Sequence, residues 1–124
     1  MEDSYGLDTN IMIYYLTGKP EEKYKKCLSL IKRAEDGEVE LNVLPINFWE
    51  ATWVLEKFYK NDRKNIVDVL QLFLRLTGIK CKNQDVVLAA LNLWEKEKID
   101  FADAYIIESY KSEQVMDIYT LNYS

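Results

Sequence analysis

Leu41-Asn42-Val43-Leu44-Pro45-Ile46-Asn47-Phe48-Trp49-Glu50 passes within a few residues from a short apolar run to the opening pattern of a helix. Leu41 to Pro45 has the length and side chains of a short strand. Asn47 is a good N-cap for a helix running on to Tyr59. The same grammar repeats on either side. Upstream, an extended start at Tyr5 to Leu7 turns at Asp8 into a helix reaching Leu16. Pro20 to Ala34 then carries Tyr24, Cys27, Leu28, Ile31 and Ala34 at helical spacing, with Gly37 just past its end. Downstream, Asp62 to Thr77 is helical with Ile66, Val69, Leu70, Phe73, Leu74 and Leu76 as its apolar positions, and Gly78 closes it. Ile79 to Cys81 is a brief strand. Asn83 to Lys98 is a helix presenting Val87, Leu88, Leu91 and Trp94, Asp100 to Glu113 is the last helix, and Val115 to Thr120 the last strand. Short strands alternating with longer helices imply a parallel sheet covered on both faces. The reading is α/β, three-layered and helix-rich, one domain spanning 1–124.

Composition narrows the chemistry. The 124 residues are 48% hydrophobic and 30% charged, with a net charge of −5 and no apolar run near the ~20 residues of a membrane span. The acidic Met-Glu-Asp-Ser start lacks the basic and apolar regions of a secretory signal, so the expected place is the cytoplasm, away from membranes. Two cysteines, Cys27 and Cys81, lie far apart in apolar-patterned segments and read as buried thiols. There is no histidine. That removes Ser-His and Cys-His nucleophile pairs and histidine-ligated metals. Carboxylates, lysines or an oxygen-bound metal must carry any catalysis.

In open α/β sheets, sites form beyond the carboxyl ends of the strands. Asp8 follows the first strand, Glu50 opens the helix after the second, Asp100 and Asp103 open the last helix, and Asn122 follows the last strand. Oxygen ligands of this kind suit Mg²⁺ or Mn²⁺, which lower the pKa of a bound water and neutralise charge on a phosphate. A plainer reading stands beside this one. Asn47 with Glu50, and Asp100 with Asp103, also have the spacing of capping boxes, and Asp8-Thr9-Asn10 that of a simple turn.

The order Leu7-Asp8-Thr9-Asn10-Ile11, Glu50 with Trp53-Val54-Leu55, Asp100-Phe101-Ala102-Asp103-Ala104, then Thr120-Leu121-Asn122, resembles the PIN-domain family, most of all its VapC-like toxin branch. The resemblance implies a PIN-like three-layer α/β/α domain with a short parallel sheet flanked by helices. It implies a Mg²⁺- or Mn²⁺-dependent endoribonuclease acting on RNA, often a homodimer and commonly held inactive by a cognate antitoxin. Asp8, Glu50 and Asp103 match the family's core carboxylates and Asp100 a further acid. Asn122 falls where members have Asp or Asn, Asn10 matches a bracing residue and Thr9 one that contacts the site. One departure is the polar start, Glu2-Asp3-Ser4-Tyr5-Gly6, where members have an apolar run. The alternative function is a catalytically weak PIN domain that binds RNA or protein.

Two cationic segments could follow a phosphate backbone. Lys57, Lys60, Arg63 and Lys64 flank Phe58 and Tyr59, and Lys23, Lys25, Lys26, Lys32 and Arg33 share one helix. The plainer reading for both is a solvated helix surface, with Phe58 and Tyr59 in the core. Trp49 and Trp53, four apart on the Glu50 helix, read as core or dimer interface, and the same surface could receive an antitoxin helix.

Overall fold

In a computed structural model of the chain, residues 3–119 are described. Three short strands, β1 (Asp3–Gly6), β2 (Val39–Val43) and β3 (Ile79–Cys81), form a parallel sheet in the order β1-β2-β3. The pairs Tyr5 with Leu41 and Leu41 with Ile79 fix the register. Two helices, α1 (Thr9–Thr17) and α2 (Glu21–Glu35), connect β1 to β2. Next come α3 (Pro45–Trp53), a π-helical turn (Val54–Phe58) and α4 (Arg63–Leu74), which lead to β3. The helices α5 (Gln84–Glu97) and α6 (Phe101–Ser112) follow. Among the described residues, six α-helices and a short parallel sheet are consistent with the three-layer α/β/α arrangement expected from the alternating pattern.

Periodicity explains the core. In β2, Val39, Leu41 and Val43 are buried on one face. They meet Met12, Phe48, Leu70, Phe73, Val87, Leu91 and Phe101 from the helices in one continuous cluster. The other face of the sheet is polar. The Ser4 hydroxyl donates to Glu40 at 3.0 Å, and the Asn42 amide donates to Ser4 Oγ at 2.7 Å and to the Tyr5 carbonyl at 3.1 Å. This ladder accounts for the polar first strand. All four β1 residues are exposed, and the Ser4 side chain bonds across to Glu40 and Asn42 of β2.

The sequence reading and the structure part at particular places. Residues 115–119 of the expected last strand form no strand and are mostly exposed; Thr120 lies outside the described residues. The chain leaves α6 through Gln114 in the left-handed region, with Val115 N–H donating to the Tyr110 carbonyl at 2.8 Å. Apolar and β-branched residues there find no ladder to join, and strand preference without a partner decides little. Phe58 is 73% exposed, not buried, and Trp49 and Trp53 lie on the surface, so the core reading for these three is corrected. Among the described residues no helix is long and apolar enough to cross a membrane.

Candidate functional site

The carboxyl ends of β1 and β2 deliver Asp8 and the start of α3 to the same edge of the sheet. Asp8 sits in extended conformation as the N-cap of α1, its carboxylate accepting from Asn10 N–H at 3.3 Å. The next residue turns inward. Thr9 is buried, and its hydroxyl donates to Glu50 Oε1 at 2.6 Å. The same Thr9 oxygen accepts from Asn47 Nδ2 at 2.9 Å, and Asn47 Oδ1 accepts from Leu44 N–H at 2.7 Å. One relay of hydrogen bonds therefore runs from the end of β2, through Asn47 and Thr9, to Glu50.

Asn47 is the residue that sequence reasoning missed. It was expected to be the N-cap of its helix. Pro45, with no N–H to lose, instead takes the first helical turn, Leu44 becomes the cap and Asn47 falls three residues inside. Glu50 consequently lies in the second turn of α3 instead of opening the helix. Pro45 was the available signal: proline favours the first position of a helix, which moves the start two residues upstream of Asn47.

Capping is the plain explanation for each acid, and Asp62 shows what capping looks like in this chain. Its carboxylate accepts from Asn65 N–H at 2.8 Å at the head of α4. Asp100 occupies the same backbone position at the head of α6, yet its side chain makes no capping bond. Side-chain capping thus accounts for Asp62 and not for Asp100. Asp100 lines a cavity of about 170 Å³ with Thr52, Glu56, Arg63 and Lys98, and Asp103 is half-buried one turn further along α6.

The turn that launches α6 is fixed from outside. Arg63 Nη1 donates to the carbonyls of Trp94 and Ile99 at 2.6 and 2.7 Å, while its Nε donates to Glu56 Oε2 at 2.7 Å and its guanidinium lies 4.2 Å over the Trp94 ring. Partial burial alone would raise the Glu56 pKa, but the bond and charge of Arg63, helped by Lys57, hold it below its ordinary value. Arg63 is thus a structural clamp, and of the cations around it Lys57 also pairs with Glu56, at 3.6 Å.

The structure joins Thr9 to Glu50 and to Asn47 by hydrogen bonds, with Asp8 and Asn10 flanking Thr9 in the turn into α1. It does not join Asp100 or Asp103 to them by any hydrogen bond among the described residues, and Asn122 lies outside those residues. Among the described residues, no three Asp, Glu or Cys side chains converge into a metal-holding group. The donor chemistry still fits a hard cation. Mg²⁺ commonly rests on one or two carboxylates, completing its shell with waters and phosphate oxygens.

At the carboxyl end of the sheet of this small α/β domain, Asp8 and the exposed Glu50 therefore stand on either side of a buried hydroxyl–amide relay. The model of the family described as the PIN domain matches residues 5–122, and the chain belongs to that family. PIN domains are typically nucleases and usually use divalent metal ions. Comparison with curated proteins and with solved structures yields no match.

Proposed function

We propose that the chain is a metal-dependent endoribonuclease, the toxin of a VapC-like toxin–antitoxin pair, acting on RNA in the cytoplasm. The observation that carries this reading is the Asn47–Thr9–Glu50 relay beside Asp8. A solvated surface glutamate has no need of a buried donor, and burying that donor has a cost unless it is hydrogen-bonded. Asp8, Glu50, Asp100 and Asp103 are the residues that would hold Mg²⁺ or Mn²⁺. When bound, such an ion neutralises charge on the phosphate and lets a water lose its proton near neutral pH. Thr9 holds the Glu50 carboxylate at one orientation, and Asn47 holds Thr9. Because its proton is committed to Glu50, Thr9 is a positioning residue and not the nucleophile. The reaction expected is attack of a water oxygen on phosphorus in line with the O3′ leaving group, giving a 3′ hydroxyl and a 5′ phosphate.

The second reading, a PIN domain that binds RNA without cutting it, is favoured by the absence of a three-carboxylate group among the described residues. One assay separates the two. Purified protein is incubated with mixed RNA and Mn²⁺ or Mg²⁺, beside EDTA and Asp8→Asn controls. Cleavage lost in both controls supports the nuclease; persistent RNA in every sample, with folded protein, supports the binding module.

The homodimer belongs to the same proposal. Ile46, Trp49 and Ile106 expose an apolar face on α3 and α6, around a groove of about 510 Å³. Sedimentation of the wild type and of Trp49→Lys tests it, a dimer that the charge splits being the supporting result. A cognate antitoxin is the remaining partner, and co-purification with the neighbouring gene product tests that.

A further inference from the structure

The groove between α1 and α2, about 540 Å³, is lined by Lys23, Lys26 and Arg33 and by no carboxylate, in a chain whose net charge is −5. These cations were expected to be a solvated helix surface. The structure instead turns three of them towards one concavity. Resting on the nuclease reading above, we infer that this groove is the track for the backbone of a single-stranded RNA whose scissile phosphate lies at the Asp8 edge.

Position is the first argument. Ile11 and Tyr14 line the groove. At ~1.5 Å of rise per residue they stand roughly 4.5 and 9 Å along the helix axis from Asp8. A strand reacting at Asp8 can therefore run along α1 into this cationic groove. On α2 the cations occupy positions 23, 26 and 33, close to one helical face, and span roughly 15 Å, enough to follow more than one phosphate.

The state of each cation is the second. Lys26 has no ion pair among the described residues, so a phosphate displaces nothing there. Lys23 Nζ donates to the Tyr14 hydroxyl at 3.3 Å and lies 5.0 Å from the ring centroid, which keeps its ammonium at the rim with donors to spare. Arg33 meets Glu38 at 3.3 Å in an exposed pair, an arrangement that contributes little in water and yields readily to a competing anion. Lys25, paired with Glu21, stays outside the groove.

The floor selects a single strand. Ile11, Leu30 and the Tyr14 ring make it apolar and partly aromatic. Unpaired bases can lie against such a surface, whereas a duplex keeps its bases stacked inside and offers mainly phosphates.

The test is a titration of a fluorescent single-stranded oligoribonucleotide in EDTA, where no cleavage intervenes, repeated across salt concentrations. Each phosphate contact contributes about 0.7 to the slope of log K against log salt for a single strand. Lys23→Gln/Lys26→Gln should weaken binding and lower that slope by about 1.4. Lys25→Gln/Lys32→Gln on the same helix should leave it unchanged, and the matching duplex should bind more weakly. Circular dichroism and Tm confirm that both double variants fold. Equal slopes for the Lys23/Lys26 variant and the wild type overturn the track, as does an equal loss in the control pair. An acid-rich peptide that needs Lys23 and Lys26, with RNA binding intact, also overturns it and assigns the groove to a protein. If the wild type cleaves RNA and the slopes do not change, the track fails alone. If groove-dependent binding is found without cleavage under Mn²⁺, the nuclease reading fails and the track stands.

Discussion

Thr9 and Glu50, 41 positions apart, meet through a 2.6 Å hydrogen bond in which the buried threonine donates to the exposed carboxylate. Thr9→Val keeps the shape and removes the donor. It also strips the buried Asn47 amide of its acceptor. Leaving a buried polar group unsatisfied costs ~1–3 kcal/mol, so urea unfolding should show a loss of that size. Thr9→Ser keeps the hydroxyl and should recover most of it. RNA cleavage should follow the same order. A valine variant with wild-type stability and rate would remove the relay from the site.

Arg63 fastens the α5–α6 turn to Glu56, and its replacement should be felt at both ends. Lysine lacks the planar fork that reaches Glu56, Trp94 and Ile99 together, so Arg63→Lys is not a conservative change here. Both side chains are only about a fifth exposed, 20% and 22%. Arg63→Gln should therefore cost about 2–4 kcal/mol, towards the range for breaking a buried pair.

The same pair sets an acid limb. Glu56 has a folded pKa below its unfolded value of about 4.3, so its contribution is complete above that value and disappears as pH falls through the folded pKa. The drop in stability from about pH 5 to about pH 3 should be shallower in Arg63→Gln than in the wild type. Parallel curves would show that other acids carry the limb.

Two glycines separate backbone strain from crowding. Gly37 and Gly78 both lie at positive φ, +78° and +87°. A Cβ on Gly37 meets nothing within 4 Å, while one on Gly78 would lie 2.6 Å from the Ala34 carbonyl oxygen. Gly37→Ala should cost about 1–2 kcal/mol, the left-handed term alone. Gly78→Ala adds a clash with the α2 backbone and should cost about 2–4 kcal/mol. Similar Tm losses in the two variants would contradict this packing.

Most of the element order was legible in the sequence because period and punctuation agree: Ile66, Leu70, Phe73 and Leu74 recur at helical spacing, and the strand expected at Leu41 to Pro45 is there but runs from Val39 to Val43, since Pro45 already belongs to the helix. The place of Asp8 at the end of β1 was legible too, whereas Glu50, expected to open its helix, lies in the second turn of α3. The relay that holds Glu50 was not. Thr9 and Asn47 look like ordinary turn and cap residues until the fold sets them 2.9 Å apart across 38 positions. The surface tryptophans escaped for a related reason. A spacing of four residues says that Trp49 and Trp53 share a face, and only the packing of α3 against α1, α5 and α6 decides which face is covered.

The thiols give a last prediction, because they report on packing without depending on activity. Cys27 is buried, its Sγ 3.7 Å from the Ile11 carbonyl, and Cys81 is half-buried; both are free. Burial raises the Cys27 thiol and pushes Cys81 up to about 11. Near pH 8 about 0.1% of Cys81 is then thiolate, against about a quarter of an ordinary cysteine with a pKa of ~8.5. A more basic thiolate is also a better nucleophile, which returns roughly tenfold of that loss. Net alkylation of Cys81 in the folded protein should be about 20-fold slower than in urea, a ratio that combines the two effects. Cys27 should be slower still, since its sulfur must first be uncovered. Mass spectrometry of each cysteine peptide over time reads both rates. Fast labelling of Cys27 in a folded sample would mean that α1 and α2 separate readily, which would undercut any binding role for the groove between them.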